Sequence, residues 1–248
     1  MSYFAGRDGA RLAYRELGEG RPLVLLHGFM GDASLWLRNG QADAVAAGGY
    51  RVIMPDFRGH GRSAKPGESA AYPLDVLTDD GFALLEHFGL NTDYDLGGYS
   101  LGARIVVRML VRGATPRRAV VGGQGLREVL GIGGGAGSVL RRVVAAPGTF
   151  EPGSPEHRIE QWLRSSDEDP VALLHVLDSV IATPVEPVRR IQVPTLVVVG
   201  ADDERATSAA ELVAALPHGS LAAVQGDHLS TAAAPEFTEA IVRFLAAQ

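Results

Sequence analysis

The stretch Gly98-Tyr99-Ser100-Leu101-Gly102 constrains this chain more than any other. It follows a strand-like run at 94–96 that continues into Gly97, and it opens a helix-like run at 103–111. A serine with glycine two residues to either side, placed between strand and helix, has the pattern of the nucleophile elbow, a tight strand-to-helix turn. A serine in a strained backbone conformation leaves no room for Cβ atoms at the flanking positions, and glycine has none. The helix that follows points free N–H groups at whatever the serine faces. Taken alone, Gly-x-Ser-x-Gly is also compatible with an ordinary turn and helix N-cap. The rest of the chain has to decide between the two readings.

Short continuous apolar runs mark strands buried on both faces. One occurs at 22–26; buried strands are also expected at 50–54 and 195–199, and further strands at 118–121 and 220–224. Residues 11–17 alternate like a strand after a turn at Asp8-Gly9. Helical patterns cover 35–47, 75–88 (closed by Gly89), 208–216 and 235–247. Buried strands alternating with amphipathic helices predict an α/β fold, with a mostly parallel sheet of about eight strands covered on both faces.

From Gly122 to about Arg190 this rhythm breaks. The segment begins with the Gly-rich stretch Gly131-Ile132-Gly133-Gly134-Gly135-Ala136-Gly137 and continues with helix-like pieces at 139–145, 156–164 and 171–181. It reads as a small helical cap at 125–190, inserted between core segments 1–124 and 191–248. The Gly-rich stretch matches G-x-G-x-x-G/A, yet no strand feeds it and the chain has no Gly-Lys-Ser/Thr signature, so it reads as a hinge or cap loop rather than a nucleotide loop. No internal repeat is present.

Composition narrows the function class. The 248 residues carry a net charge of −6, which argues against nucleic acid and anionic membrane surfaces as partners. No apolar stretch is long enough to span a bilayer, and Met1 to Asp8 lacks the apolar core of a signal peptide. The absence of cysteine removes disulfides, thiol catalysis and thiolate metal sites. A cytoplasmic protein acting on a small molecule is the expectation.

A serine hydroxyl needs a general base, usually histidine, and the histidine needs an orienting acid. Of seven histidines, His87 lies in a helix, His157 and His175 in the cap, His218 at a helix end and His60 in a Gly-rich turn. His228, in the loop Gln225-Gly226-Asp227-His228 after a C-terminal strand, would project from the sheet edge where ligands bind. The acid is expected after the 195–199 strand, where Asp202, Asp203 and Glu204 cluster. The order Ser, acid, His is the one this architecture uses. A tetrahedral intermediate also needs preorganised N–H donors. The backbone amides of Leu101 and of Phe29, in the loop His27-Gly28-Phe29, are the candidates.

On these residues the chain closely resembles the α/β-hydrolase family. The matching motifs are His27-Gly28-Phe29, the Asp56-to-Ser63 loop, Gly98-Tyr99-Ser100-Leu101-Gly102, and the Asp203 and His228 loops. The resemblance covers the chain except the cap. It selects Asp203 over Asp202, because the family's acid is the third residue after the strand-ending glycine. It makes Arg58 and His60 scaffold. It implies Ser100, Asp203 and His228 as a catalytic triad, Phe29 and Leu101 as the oxyanion hole, and no metal or organic cofactor. The implied activity is carboxylic ester hydrolysis of a small to medium, largely apolar substrate. Thioester, lactone, peracid and carbon–carbon bond chemistry on the same triad are alternatives, and so, on the same fold, is a non-hydrolytic enzyme or a binding protein. Asp227 departs from the family's usual glycine and would either perturb His228 or hydrogen-bond its loop.

Overall fold

The buried apolar runs lie side by side in one eight-stranded sheet. The computed structural model describes residues 1–132 and 135–247; Gly133 and Gly134 of the Gly-rich stretch, and Gln248, lie outside the described residues. The first half of the chain forms β1 (Ser2–Ala5), β2 (Arg11–Leu17), β3 (Arg21–Leu26), α1 (Leu35–Arg38), α2 (Gln41–Ala47), β4 (Tyr50–Pro55) and α3 (Val76–His87). Next come β5 (Asp95–Tyr99), α4 (Leu101–Val111) and β6 (Ala119–Gly122). Five helices follow: α5 (Leu126–Val129), α6 (Gly135–Ala145), α7 (Pro155–Ser165), α8 (Pro170–Ser179) and α9 (Val185–Val188). The chain then returns to the sheet with β7 (Thr195–Gly200), α10 (Ala209–Ala215), β8 (Gly219–Val224) and α11 (Pro235–Ala246).

The strand order is β1-β2-β4-β3-β5-β6-β7-β8. β2 is antiparallel to β1 and β4, and all other neighbours are parallel. β3 has β4 on one side and β5 on the other, so the winding reverses there. Ligand sites form beyond the C-terminal ends of strands at such a point. Leu26 at the end of β3 pairs with Gly98 of β5, which places the His27–Phe29 loop beside the elbow.

Side chains of a strand alternate between faces, and the core divides accordingly. Val24, Leu26, Leu96, Val121 and Val197 pack with α3 and α4 residues such as Leu84 and Val106. Leu23, Leu25, Val120, Leu196 and Val198 pack with Val45 of α2 and with Phe237 and Ile241 of α11. Burying one such side chain contributes about 1.5–3 kcal/mol, so both layers hold the sheet edge that carries the loops.

Several boundaries differ from the sequence reading. β1 escapes it, being an edge strand of four residues, too short to show a period. The single helix expected at 35–47 is two, broken at Asn39-Gly40 because Gly40 takes φ 74°. β5 reaches Tyr99, because glycines at 97 and 98 fit tightly packed strand positions: a Cβ on Gly97 would meet Leu25 Cδ2 at 3.0 Å. Beyond β6, α6, α7 and α8 match the expected helical pieces, and the one-turn α5 and α9 have too few residues to show a period. α8 sits on the 56–63 loop: a Cβ on Gly59 would lie 2.8 Å from Val176 Cγ2, and Glu168, just before α8, accepts the Gly61 N–H at 2.8 Å.

Candidate active site

Ser100 stands between β5 and α4 with φ 54° and ψ −114°, a conformation non-glycine residues rarely adopt. The surroundings impose it. Ser100 N–H donates to Gly122 O at 2.8 Å, and Ser100 O accepts from Arg104 N–H at 3.2 Å. A Cβ on Gly98 would lie 2.5 Å from the carbonyl carbon of Gly102, and one on Gly102 would lie 2.2 Å from Leu26 O. Both obstacles are backbone, which does not yield. The two glycines are therefore fixed by the turn that presents the serine.

His228 lies in the loop after β8, and its ring reaches the serine. Ser100 Oγ and His228 Nε2 are 2.9 Å apart, and His228 Nδ1 is 2.8 Å from Asp203 Oδ2. The consistent arrangement has Nδ1–H donating to the carboxylate and Nε2 accepting the serine hydroxyl. The Asp203 side chain has no solvent exposure and that of His228 has 10%. The second carboxylate oxygen of Asp203 accepts the Arg205 N–H at 2.9 Å, so both oxygens are used. Asp202 and Glu204 point to solvent, as suits residues of an ordinary polar turn.

Tyr99 and Asp227 hold the imidazole loop. Tyr99 OH donates to His228 O at 2.7 Å, and the Tyr99 ring lies 5.4 Å from the imidazole. Asp227 Oδ1 accepts from Leu229 N–H at 3.0 Å and from Ser230 N–H at 2.8 Å. It also accepts the Ser230 hydroxyl at 2.7 Å. Asp227 therefore ties the loop rather than touching the ring, and these bonds, those to Ser230 first, hold its carboxyl below the usual carboxylate range.

The His27–Phe29 loop passes directly beside the serine: a Cβ on Gly28 would lie 3.3 Å from Ser100 Cβ. The amides of Phe29 and Leu101 make no hydrogen bond among the described residues. Two buried histidines brace this loop. His27 Nδ1–H donates to Gly28 O at 2.8 Å, and His27 Nε2 accepts the Phe57 N–H at 2.9 Å. His60 Nε2 accepts the Met30 N–H at 3.3 Å, and its Nδ1–H donates to Arg58 O at 3.2 Å. Burial, helped by the neighbouring His27, pushes His60 down to about 3, and burial also lowers His27. Both remain neutral braces at ordinary pH. Arg58 is fully buried and pairs with Asp8 at 2.6 Å and Asp80 at 2.9 Å, which anchors the 56–63 loop.

Sequence reading missed His27 and Asp80 as braces and Tyr99 as a support. Their residue types carry no signal until the loops are folded together. His87, His157, His175 and His218 take no part in the Ser100 cluster. A surface groove of about 550 Å³ between α2 and α11 shares no residue with it either.

Residues 21–121 match the family model described as alpha/beta hydrolase fold. The chain is 34% identical over 119 residues to a non-heme haloperoxidase of Rhodococcus erythropolis, covering 48% of this chain and 42% of that protein. It spans less than half the length of the curated relatives it matches first, 42%, 38% and 35%. Solved structures match along nearly the whole chain. A hydrolase from Pseudomonas aeruginosa PA01 is 26% identical with a TM-score of 0.76, covering 99% of this chain and 98% of that one. An esterase from Exiguobacterium antarcticum superimposes with a TM-score of 0.80 at 19% identity, covering 99% of each chain.

Proposed function

We propose that this chain, whose fold is that of the α/β hydrolases, acts as a serine hydrolase by two-step acyl transfer, with a carboxylic ester as the ordinary substrate. The observation that carries the reading is the line from Ser100 Oγ through His228 to Asp203, at 2.9 Å and 2.8 Å. His228 Nε2 takes the hydroxyl proton as Ser100 Oγ attacks the substrate carbonyl, and Asp203 stabilises the imidazolium that forms. The amides of Phe29 and Leu101, without another partner among the described residues, receive the negative oxygen. His228 returns its proton to the leaving group. It then activates water, which attacks the acyl carbon and frees the acid. These steps call for no metal or organic cofactor.

The helical segment 125–190 acts in this reading as a cap that supplies an apolar roof. Ile159, Trp162, Leu163, Leu174, Leu177 and Ile181 are all partly exposed, as residues lining a cleft would be. Leu177 also packs toward α6, with Cδ1 3.2 Å from where Gly137 would carry a Cβ. A second reading, peracid formation from a carboxylic acid and hydrogen peroxide on the same triad, draws support from the haloperoxidase among the relatives.

A turnover panel tests the proposal: p-nitrophenyl esters, a thioester, a vinylogous 1,5-diketone, and acetate with peroxide. Ester hydrolysis that outpaces the other three, and that vanishes in a folded Ser100→Ala protein, is the expected outcome. Undiminished turnover in that variant removes the serine mechanism.

A further inference from the structure

Arg104 and Arg108 of α4, and Arg112 at its C-terminal cap, stand four residues apart and so line up on one helix face. Two of them have carboxylate partners. Arg108 Nε donates to Asp75 Oδ2 at 2.8 Å, and Arg112 reaches Asp75 at 3.1 Å and Asp79 at 2.7 Å. Arg104, the one nearest Ser100, is only partly exposed, yet its guanidinium has no hydrogen bond or ion pair among the described residues. The acid that acts on it is Glu128 of α5, through its field rather than by contact. The Glu128 carboxylate is already engaged, accepting from Gly125 N–H at 3.2 Å and the Ser208 hydroxyl at 3.4 Å. Burial lowers the Arg104 pKa against the opposing pull of Glu128, as befits a cation short of counter-charge.

Helix geometry says where this group reaches. Side chains of a helix lean toward its N-terminus and cover the turn before their own Cα. The turn before Arg104 begins at Ser100, whose carbonyl accepts the Arg104 N–H. Four residues rise about 6 Å, within the span of an extended arginine. A second polar group near the elbow is also incomplete. Gln124, two residues beyond the Gly122 carbonyl that binds Ser100 N–H, is buried. Its Nε2 donates to Gly123 O at 2.8 Å, while its Oε1 has no donor among the described residues. A buried acceptor without a donor is costly unless a ligand or water supplies one.

We propose that Arg104 is a specificity-determining residue that binds a carboxylate carried by the substrate, so that the preferred esters are carboxylate-bearing rather than neutral. The reaction in this statement rests on the serine-hydrolase reading above, and the carboxylate binding does not. A planar guanidinium with its N–H fork unengaged suits a carboxylate bidentately.

The test compares two charged esters with their own methyl esters. Mono-p-nitrophenyl glutarate carries the carboxylate on the acyl side, and 4-(butanoyloxy)benzoate carries it on the leaving side. In wild type, kcat/KM for at least one charged ester exceeds that of its neutral partner by about tenfold or more at low salt. The ratio falls as salt rises, collapses in Arg104→Gln, and is partly kept in Arg104→Lys. A wild-type ratio near one for both pairs overturns the proposal, as does a ratio that survives Arg104→Gln. If Arg104→Gln fails to fold, the salt titration and the Lys variant decide by the same criteria. If wild type turns over none of the four esters, the serine-hydrolase reading fails, and glutarate binding then decides on Arg104. Glutarate should raise the Tm of wild type more than that of the Arg104 variants, and an equal shift overturns the assignment.

Discussion

The hydroxyl of Tyr99, the residue just before the elbow serine, donates to the main-chain carbonyl of His228 at 2.7 Å. One strand end thus sets both groups: β5 delivers Ser100, and the preceding side chain pins the loop that carries the imidazole. Tyr99→Phe leaves that carbonyl without its donor at a cost of about 1–3 kcal/mol. A lower Tm together with a drop in kcat is expected, since the imidazole loses its hold. Calorimetry and ester kinetics on the same preparation check it, and an unchanged kcat at lowered Tm would make the contact purely structural.

The two neighbouring aspartates of the 200–205 turn should separate cleanly. Asp203 is buried against His228 Nδ1, whereas Asp202 faces solvent. Asp203→Asn is expected to lower kcat by about ten-thousand-fold, the scale seen when the orienting acid of a triad loses its charge. Asp202→Asn should stay within a few-fold of wild type. Steady-state kinetics distinguishes them, and the reverse ranking would move the acid one residue.

The loop under Phe29 carries an acid-sensitive element. Asp8 accepts from the buried Arg58 at 2.6 Å and 2.7 Å, and that hydrogen bonding holds its pKa at about 2, against 3.8 when unperturbed. A carboxyl depressed in the folded state stabilises it fully above the unfolded value and loses that contribution as pH falls through the folded one. The Tm gap between wild type and Asp8→Asn should therefore be constant at neutral pH and close between about pH 4 and pH 2. A gap independent of pH would deny the ionic character of the contact.

How far the sequence reached depended on whether a residue's role is local. The elbow could be read because its glycine spacing is local: Gly98 is barred from a Cβ by the Gly102 backbone four residues on, although the Leu26 carbonyl that bars one on Gly102 is remote in sequence. Strands β3, β4 and β7 showed as largely apolar segments because both faces of the sheet are covered. Ser100, Asp203 and His228, drawn from three separate loops, do meet in space. Asp227, left open between two roles, turns out to bond within its own loop. The bracing by Tyr99, His27 and Asp80 was hidden because each partner is remote in sequence. The Gly40 break in the 35–47 helix was readable from Asn39-Gly40, yet apolar periodicity outweighed it.

The apolar side chains of the helical segment should set acyl-chain preference. Trp162 of α7 is partly exposed, so it is not committed to the core. Medium or aromatic acyl groups are expected to exceed acetate in kcat/KM, through remote apolar contact that orients the carbonyl. Trp162→Gln should flatten that series more than it slows a small activated ester. A chain-length series on both proteins, with melts to confirm folding, decides; a wild-type preference for acetate would remove the roof.

The central claim is that Ser100 Oγ is the nucleophile, activated by His228. Reaction with a fluorophosphonate, followed by peptide mass mapping, tests it most directly. A single adduct on the peptide bearing Ser100 is predicted. Labelling should be lost in folded His228→Ala, because the serine hydroxyl then has no base to take its proton. An unlabelled Ser100, or equal labelling with and without His228, would contradict the account.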